Sequence, residues 1–340
     1  MPAYLRDGLG EIMTKYLIIN DEHELYDVMY ADLYRTNEYD IEEISRFIPM
    51  PSVLEKIRSI HFDDRINRHL WLPGKCIWNR WYMLDRYPYD VEEQYWVLFL
   101  NGTLRNYYSA SYLRRFKQRH ANVRLAMVMY DSYSNKHASR AIELMPLFDK
   151  VFSFDELDCR KHGLEFFYAT MSKPSFIKYD ESFHNGAFFV GAAEGRLPLM
   201  EKCFSTIAQV VPNCRFNVVG VPREDQRCRY INYNAGMSYK TALQYSYNSD
   251  LKIEMLRDGQ AGVSLRTCEA ILFNRKLLTN NEHIKEMPFY EPRFMSVFKT
   301  GDDVDLDFVR KPMDVKYPDD TWFSPLRIIQ QLDKESKCGN

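Results

Sequence analysis

The chain has 340 residues, 46% of them apolar and 27% charged, with 45 Lys and Arg against 47 Asp and Glu. That length exceeds what one hydrophobic core usually serves, so two domains are expected. With 14 Gly and 15 Pro and a net charge of -2, collagen-like and low-complexity classes are excluded. So is a protein that wraps nucleic acid by phosphate neutralisation.

The first residues, Met1 to Glu11, are charged and lack the apolar centre of a signal peptide. Met13-Thr14-Lys15, just before the apolar Tyr16 to Ile19, reads as a plausible start, with residues 1–12 as an extension. Lys15 to Asn20 predicts a first strand that ends at Asp21 and Glu22. Further strands are predicted at Tyr95 to Leu100, Arg124 to Tyr130 and Lys150 to Phe154. Helices are predicted between them at Ser109 to His120 and Ala138 to Met145. The polar stretch 172–186 carries a Pro and a Gly without periodicity and reads as an interdomain linker.

A second series follows. Strands are predicted at Gly186 to Gly191, Arg215 to Val219, Leu251 to Leu256 and Lys276 to Thr279. Helices are predicted at Leu197 to Val211, Ser238 to Asn248 and Leu265 to Phe273, with a Pro-started helix at Pro325 to Lys334. Short strands alternating with helices imply two parallel α/β sheets. The expected division is an N-terminal domain over 13–175, a C-terminal domain over 186–322 and a closing segment over 323–340. The longest apolar runs are strand-length, far short of the roughly 20 residues a membrane helix needs. The seven cysteines are odd in number and scattered without a C-x-x-C pair. This predicts neither a disulfide framework nor a zinc site, and points to a reducing cytoplasm.

In open parallel sheets ligands bind beyond the carboxyl ends of the strands, so the residues after each strand are the candidates. Gly191 to Arg196 is a small-residue turn before a helix, where Arg196 could pair with a phosphate. Gly220-Val221-Pro222 follows the next strand, and Tyr230 to Asn234 offers Tyr233 and amides that could hold a base. An ordinary structural turn is the competing reading for each of these. The richest stretch is Asp258 to Ala270. Gly262 and Ser264 open a helix on which Arg266 and Glu269 lie three residues apart, on one face. A helix N-terminus and an Arg fork suit a diphosphate, and a Glu suits two sugar hydroxyls, while a helix cap with a surface Arg/Glu pair is the competing reading.

The run Gly262-Val263-Ser264-Leu265-Arg266-x-x-Glu269-Ala270, followed by Asn274-x-Lys276-Leu277-Leu278-Thr279-Asn280, resembles the donor segment of bacterial GT-B glycosyltransferases. These enzymes build capsular, exopolysaccharide and lipopolysaccharide chains. Phe148 to Asp155 is similar to that family's last N-domain strand. The resemblance implies a GT-B fold: two Rossmann-like domains facing a cleft, with a C-terminal helix crossing back to the N-domain. It further implies a nucleotide-sugar donor, UDP-linked by preference, and a glycan or lipid-linked glycan acceptor. Glu269 would hold the ribose, Gly262 to Leu265 the diphosphate, and the basic residue after the first C-domain turn, Arg196, would reach it. Many retaining members carry a Glu eight positions before the ribose-binding one. Here that position is Ala261, which leaves the stereochemistry open. A sugar-nucleotide epimerase on the same fold and a catalytically silent scaffold are the alternatives.

Asp302 to Asp307 has D-x-D spacing but reads as a solvated acidic loop, so no metal or other cofactor is expected. Arg196 and Arg266 would instead neutralise the leaving diphosphate. A base for the acceptor hydroxyl is sought after the N-domain strands. Asp131 is the first choice, with Asp21, Glu22 and His137 also placed there. Two stretches, Lys56 to Trp81 and Arg105 to Arg124, are both basic and aromatic. They read either as a peripheral membrane surface on the inner face of the cell membrane or as a partly buried N-domain core with a solvated basic face.

Overall fold

A computed structural model describes residues 14–20, 24–70, 72–100, 104, 107–133, 138–257, 260 and 262–338. Asp21, Glu22, His137 and Ala261 lie outside the described residues. The chain forms two compact units. The first comprises the segment through Asp27, Asp32–Phe167 and Leu326 onward, and the second comprises Val28–Ala31 and Tyr168–Pro325.

The first unit holds a parallel sheet of β1 (Thr14–Ile19), β2 (Asp40–Ile44), β3 (Gln94–Leu100), β4 (Val123–Met129), β5 (Lys150–Ser153) and β6 (Glu165–Phe166). Its order is β2-β1-β3-β4-β5-β6. The unbroken apolar runs Tyr-Leu-Ile-Ile in β1 and Tyr-Trp-Val-Leu-Phe-Leu in β3 are buried, as strands covered on both faces must be. The helix Ala110–Arg119 starts where Ser109 Oγ accepts the Tyr112 N–H at 3.2 Å. It then buries Tyr112, Leu113 and Phe116. The high aromatic content is explained here: Tyr82, Phe99, Tyr108, Tyr112 and Phe116 form one core.

The closing helix Leu326–Cys338 belongs to this first unit, as the GT-B resemblance implied. Asp333 accepts from Tyr16 Oη at 3.2 Å, Ser336 Oγ accepts from Trp96 Nε1 at 2.8 Å, and Glu335 pairs with Lys150 at 2.7 Å.

The second unit holds β7 (Asn185–Ala192), β8 (Cys214–Val219), β9 (Asn232–Tyr233), β10 (Ser249–Glu254), β11 (Lys276–Thr279) and β12 (Met295–Val297). All neighbours are parallel, in the order β12-β11-β10-β7-β8-β9. Counted from β7, this is the Rossmann order 3-2-1-4-5-6, whose direction reverses between β7 and β10.

Stretch 172–186, expected as a linker, lies inside the second unit. Ser172 is fully buried and donates both its N–H and its Oγ–H to the Met29 carbonyl. Farther along, Asn248 and Gln244 hold the Lys178 carbonyl. Ser172, polar in the sequence, is instead the partner of a buried backbone carbonyl.

Candidate functional site

The crevice beyond the carboxyl ends of a Rossmann sheet, where strand order reverses, is where such sheets bind ligands. In the second unit that place holds a cleft of about 250 Å³. Gly191 and Ala192 line it from the end of β7, Glu254 and Met255 from the end of β10, and Ser264 and Arg266 from the next helix. Gly191 keeps its β7 edge low, since a Cβ there would lie 2.9 Å from the Phe189 ring.

Arg196 is fixed by main-chain carbonyls. Its Nη2 donates to Ala192 O at 2.7 Å and its Nη1 to Met255 O, which ties β7's turn to β10's. The turn itself needs two consecutive left-handed residues, Glu194 at φ 42° and Gly195 at φ 82°. Glu194 then faces two guanidinium groups, Arg257 at 2.9 Å and Arg196 at 3.5 Å. Burial lowers the Arg196 pKa, and neighbouring Arg257 and Arg266 lower it further while Glu194 opposes them. Arg266 Nη2 donates to the Val190 carbonyl at 2.8 Å, so its guanidinium is held at the floor of the cleft. Three guanidinium groups and two carboxylates line the cleft, which leaves it net positive.

The helix Leu265–Leu272 begins at Ser264, whose Oγ accepts the Arg266 N–H at 3.1 Å and donates to Glu254 Oε1. Thr267 Oγ1 also donates to Glu254 Oε1, at 2.9 Å, and Thr279 Oγ1 donates to Oε2, at 2.5 Å. Glu254 is therefore a buried carboxylate, 1% exposed, satisfied by three hydroxyls while reaching the cleft wall. Sequence reasoning missed it. Its strand, Ser-Asp-Leu-Lys-Ile-Glu, carries other charges, so the pattern gave no signal for it.

None of the other expected donor residues lines this cleft. Gly262 precedes the buried Val263 in the approach to the helix, and Leu265 is its half-buried first residue. Gly220 and Val221 line an adjoining hollow of about 430 Å³, which shares Glu194 with the cleft. Tyr233 is on edge strand β9, where the sequence suggested a loop, and its hydroxyl donates to Glu201 at 2.6 Å. Glu269 does not line the cleft. It is 5% exposed, and its Oε2 accepts from Lys252 Nζ at 2.9 Å and from Ser246 Oγ at 2.6 Å. Arg266 and Glu269 do share the helix face turned to the sheet, one meeting β7 and the other β10.

In the first unit Asp131 is half-buried, two residues beyond the end of β4. Among the described residues, no group of three or more His, Cys, Asp or Glu is gathered as metal ligands would be. The acidic loop has structural employment: Asp303 accepts from the Lys299 and Thr300 N–H groups, and Asp305 caps the helix Leu306–Arg310. Among the described residues no helix is long and apolar enough to cross a membrane.

The sequence matches no protein-family model and no curated protein. Solved structures do share its fold. One, from Listeria monocytogenes and assigned as a UDP-N-acetylglucosamine 2-epimerase, is 12% identical over 95% of this chain and 96% of its own, with a TM-score of 0.53. Another, the UDP-GlcNAc 2-epimerase of Neisseria meningitidis bound to UDP-GlcNAc, is 10% identical over 95% of this chain and 100% of its own, with a TM-score of 0.52. At this identity the likeness speaks to fold: the GT-B type, with two Rossmann-like α/β domains.

Proposed function

We propose that the second unit binds a nucleotide-diphosphate sugar, UDP-linked by preference, at the β7/β10 crevice. The chain then transfers the sugar to a hydroxyl of a glycan or lipid-linked glycan in cell-surface polysaccharide synthesis. The observation that carries this reading is the net-positive cleft at the point where strand order reverses. Arg266 and Arg196 are prefixed by carbonyls, so they need no reorganisation to receive a diphosphate. The Ser264-capped helix start adds its N-terminal dipole. In this reading the charge on the leaving diphosphate is carried by guanidinium groups and no metal is required. Asp131 is the proposed acceptor base.

Calorimetric titration with UDP, GDP and CDP tests the donor half. UDP is expected to bind, and Arg266→Ala to weaken it by roughly tenfold or more, the scale of one lost charge-assisted hydrogen bond. Absence of binding by all three nucleotides sinks the proposal.

A second reading, epimerisation of a UDP-sugar, is favoured by one observation: both fold relatives described above carry the name of a UDP-GlcNAc 2-epimerase. NMR of UDP-GlcNAc incubated with the protein and no acceptor separates the two. Appearance of the C2 epimer selects the epimerase.

A further inference from the structure

Twelve large apolar side chains are exposed among the described residues, and six of them fall between positions 53 and 77 of the first unit. The helix Ser52–Phe62 accounts for three. Its inner face buries Phe62 and lays the Arg58 guanidinium 4.3 Å over the Phe47 ring. Its outer face carries Val53, Ile57 and Ile60, at i, i+4 and i+7, which are 66%, 50% and 57% exposed. β-Branched residues are indifferent helix formers, so helix formation does not explain this choice. Ile66, Leu70 and Ile77 continue the exposed series along the same segment.

The charge around this stripe is positive. Residues 52–80 hold six Lys and Arg against Glu55, Asp63 and Asp64. Glu55 is paired with Arg58 at 3.5 Å, and Asp63 accepts the Arg65 and Ile66 N–H groups as a helix cap. Lys56 is exposed one turn from Val53, and the Arg65 side chain is 91% exposed, with its Nε 4.0 Å from Asp63.

Trp71 lies outside the described residues, and the two described tryptophans of this stretch do not supply the apolar character that the sequence suggested. Trp78 is buried, with its Nε1 donating to His61 Nδ1 at 2.8 Å, and Trp81 packs against the core. Among its described residues the second basic stretch contributes no such face. Tyr108, Tyr112 and Phe116 are buried, and Lys117 and Arg119 are paired with Asp149 and Asp85.

We propose that the outer face of the Ser52–Phe62 helix, with Lys56 and Arg65 at its rim, docks on an anionic lipid bilayer. A second copy of the chain is a poorer occupant, because a two-fold contact would bring two net-positive patches together. A protein partner is also poorer, because among the described residues the stripe has no exposed aromatic anchor of the kind such interfaces favour. Aliphatic side chains with a basic rim are what an interfacial helix presents to acyl chains and anionic headgroups. The nucleotide cleft takes no part, so the test is independent of the proposed reaction.

The full chain is sedimented with phosphatidylcholine vesicles and with vesicles containing phosphatidylglycerol. The expected result is binding that is stronger by about tenfold or more on the anionic vesicles and weakens as salt rises. Lys56→Glu with Arg65→Glu, and separately Ile57→Ser with Ile60→Ser, are each expected to reduce it by about tenfold or more. These positions are exposed, and an unchanged thermal melt confirms that the variants fold. Equal binding to neutral vesicles, or no binding to either, overturns the proposal. So does a dimer in sedimentation equilibrium that the Ile variant dissolves, or binding of an acidic peptide in place of vesicles.

Discussion

The ammonium of Lys252 on β10 lies 2.9 Å from Oε2 of Glu269 on the adjoining helix, and both side chains are buried. Ser246 Oγ completes the arrangement at 2.6 Å, so the network joins β10 to two helices. Burial pulls the Lys252 pKa down, and the carboxylate beside it pulls the other way. Little water remains to solvate either charge once the other is removed.

Lys252→Met is therefore expected to cost about 3–5 kcal/mol, because it strands a buried carboxylate. Glu269→Leu should cost a similar amount by stranding the ammonium. Combining Lys252→Met with Glu269→Leu should recover most of the loss, since a well-packed apolar pair can replace a buried ion pair. Urea unfolding of the three variants checks this. Additive losses in the double variant would count against the pair as a unit.

Glu254 predicts an unusual capping series. Replacing an N-cap Ser by Ala ordinarily costs about 1 kcal/mol, and by Gly only a few tenths. Ser264 has a second role, because its hydroxyl also donates to buried Glu254. Ser264→Gly should thus be about as damaging as Ser264→Ala, each costing about 2 kcal/mol. Denaturant midpoints measure this, and a Gly variant close to the wild type would refute it.

Tyr233 predicts a pH dependence. Burial, and then its hydrogen bond to Glu201, push this phenol up to about 12. The folded state holds the proton more tightly than the unfolded chain, where the value is near 10. The stabilisation is therefore complete below pH 10 and is lost as pH rises toward 12. The stability difference between wild type and Tyr233→Phe, about 1 kcal/mol at pH 8, should shrink over that interval. Parallel urea titrations at pH 8 and above pH 10 measure it; a difference that stays constant would exclude the linkage.

Much of the fold was legible from the chain. The eight strands read from sequence, β1, β3, β4, β5, β7, β8, β10 and β11, all lie in the sheet interiors. Strands buried on both faces show as continuous apolar runs. The four that were missed, β2, β6, β9 and β12, are the edges of the two sheets. Asp-Ile-Glu-Glu-Ile in β2 has a neighbour on one side only and carries charges, as edge strands do. Local pattern does not distinguish such a segment from a loop.

The candidate cleft divides in the same way. Gly191, Arg196, Ser264 and Arg266 could be named from sequence, because each stands where a strand or turn meets a helix start. Glu254 and Lys252 could not. A charge within a short strand reads as solvent-facing, and only partners distant in sequence make its burial tolerable: Thr279 for Glu254, Glu269 for Lys252. Sequence by itself determined the alternation of elements, since apolar periodicity is local. Tertiary structure decided which charges are buried, because that depends on which hydroxyls and counter-ions the fold brings against them.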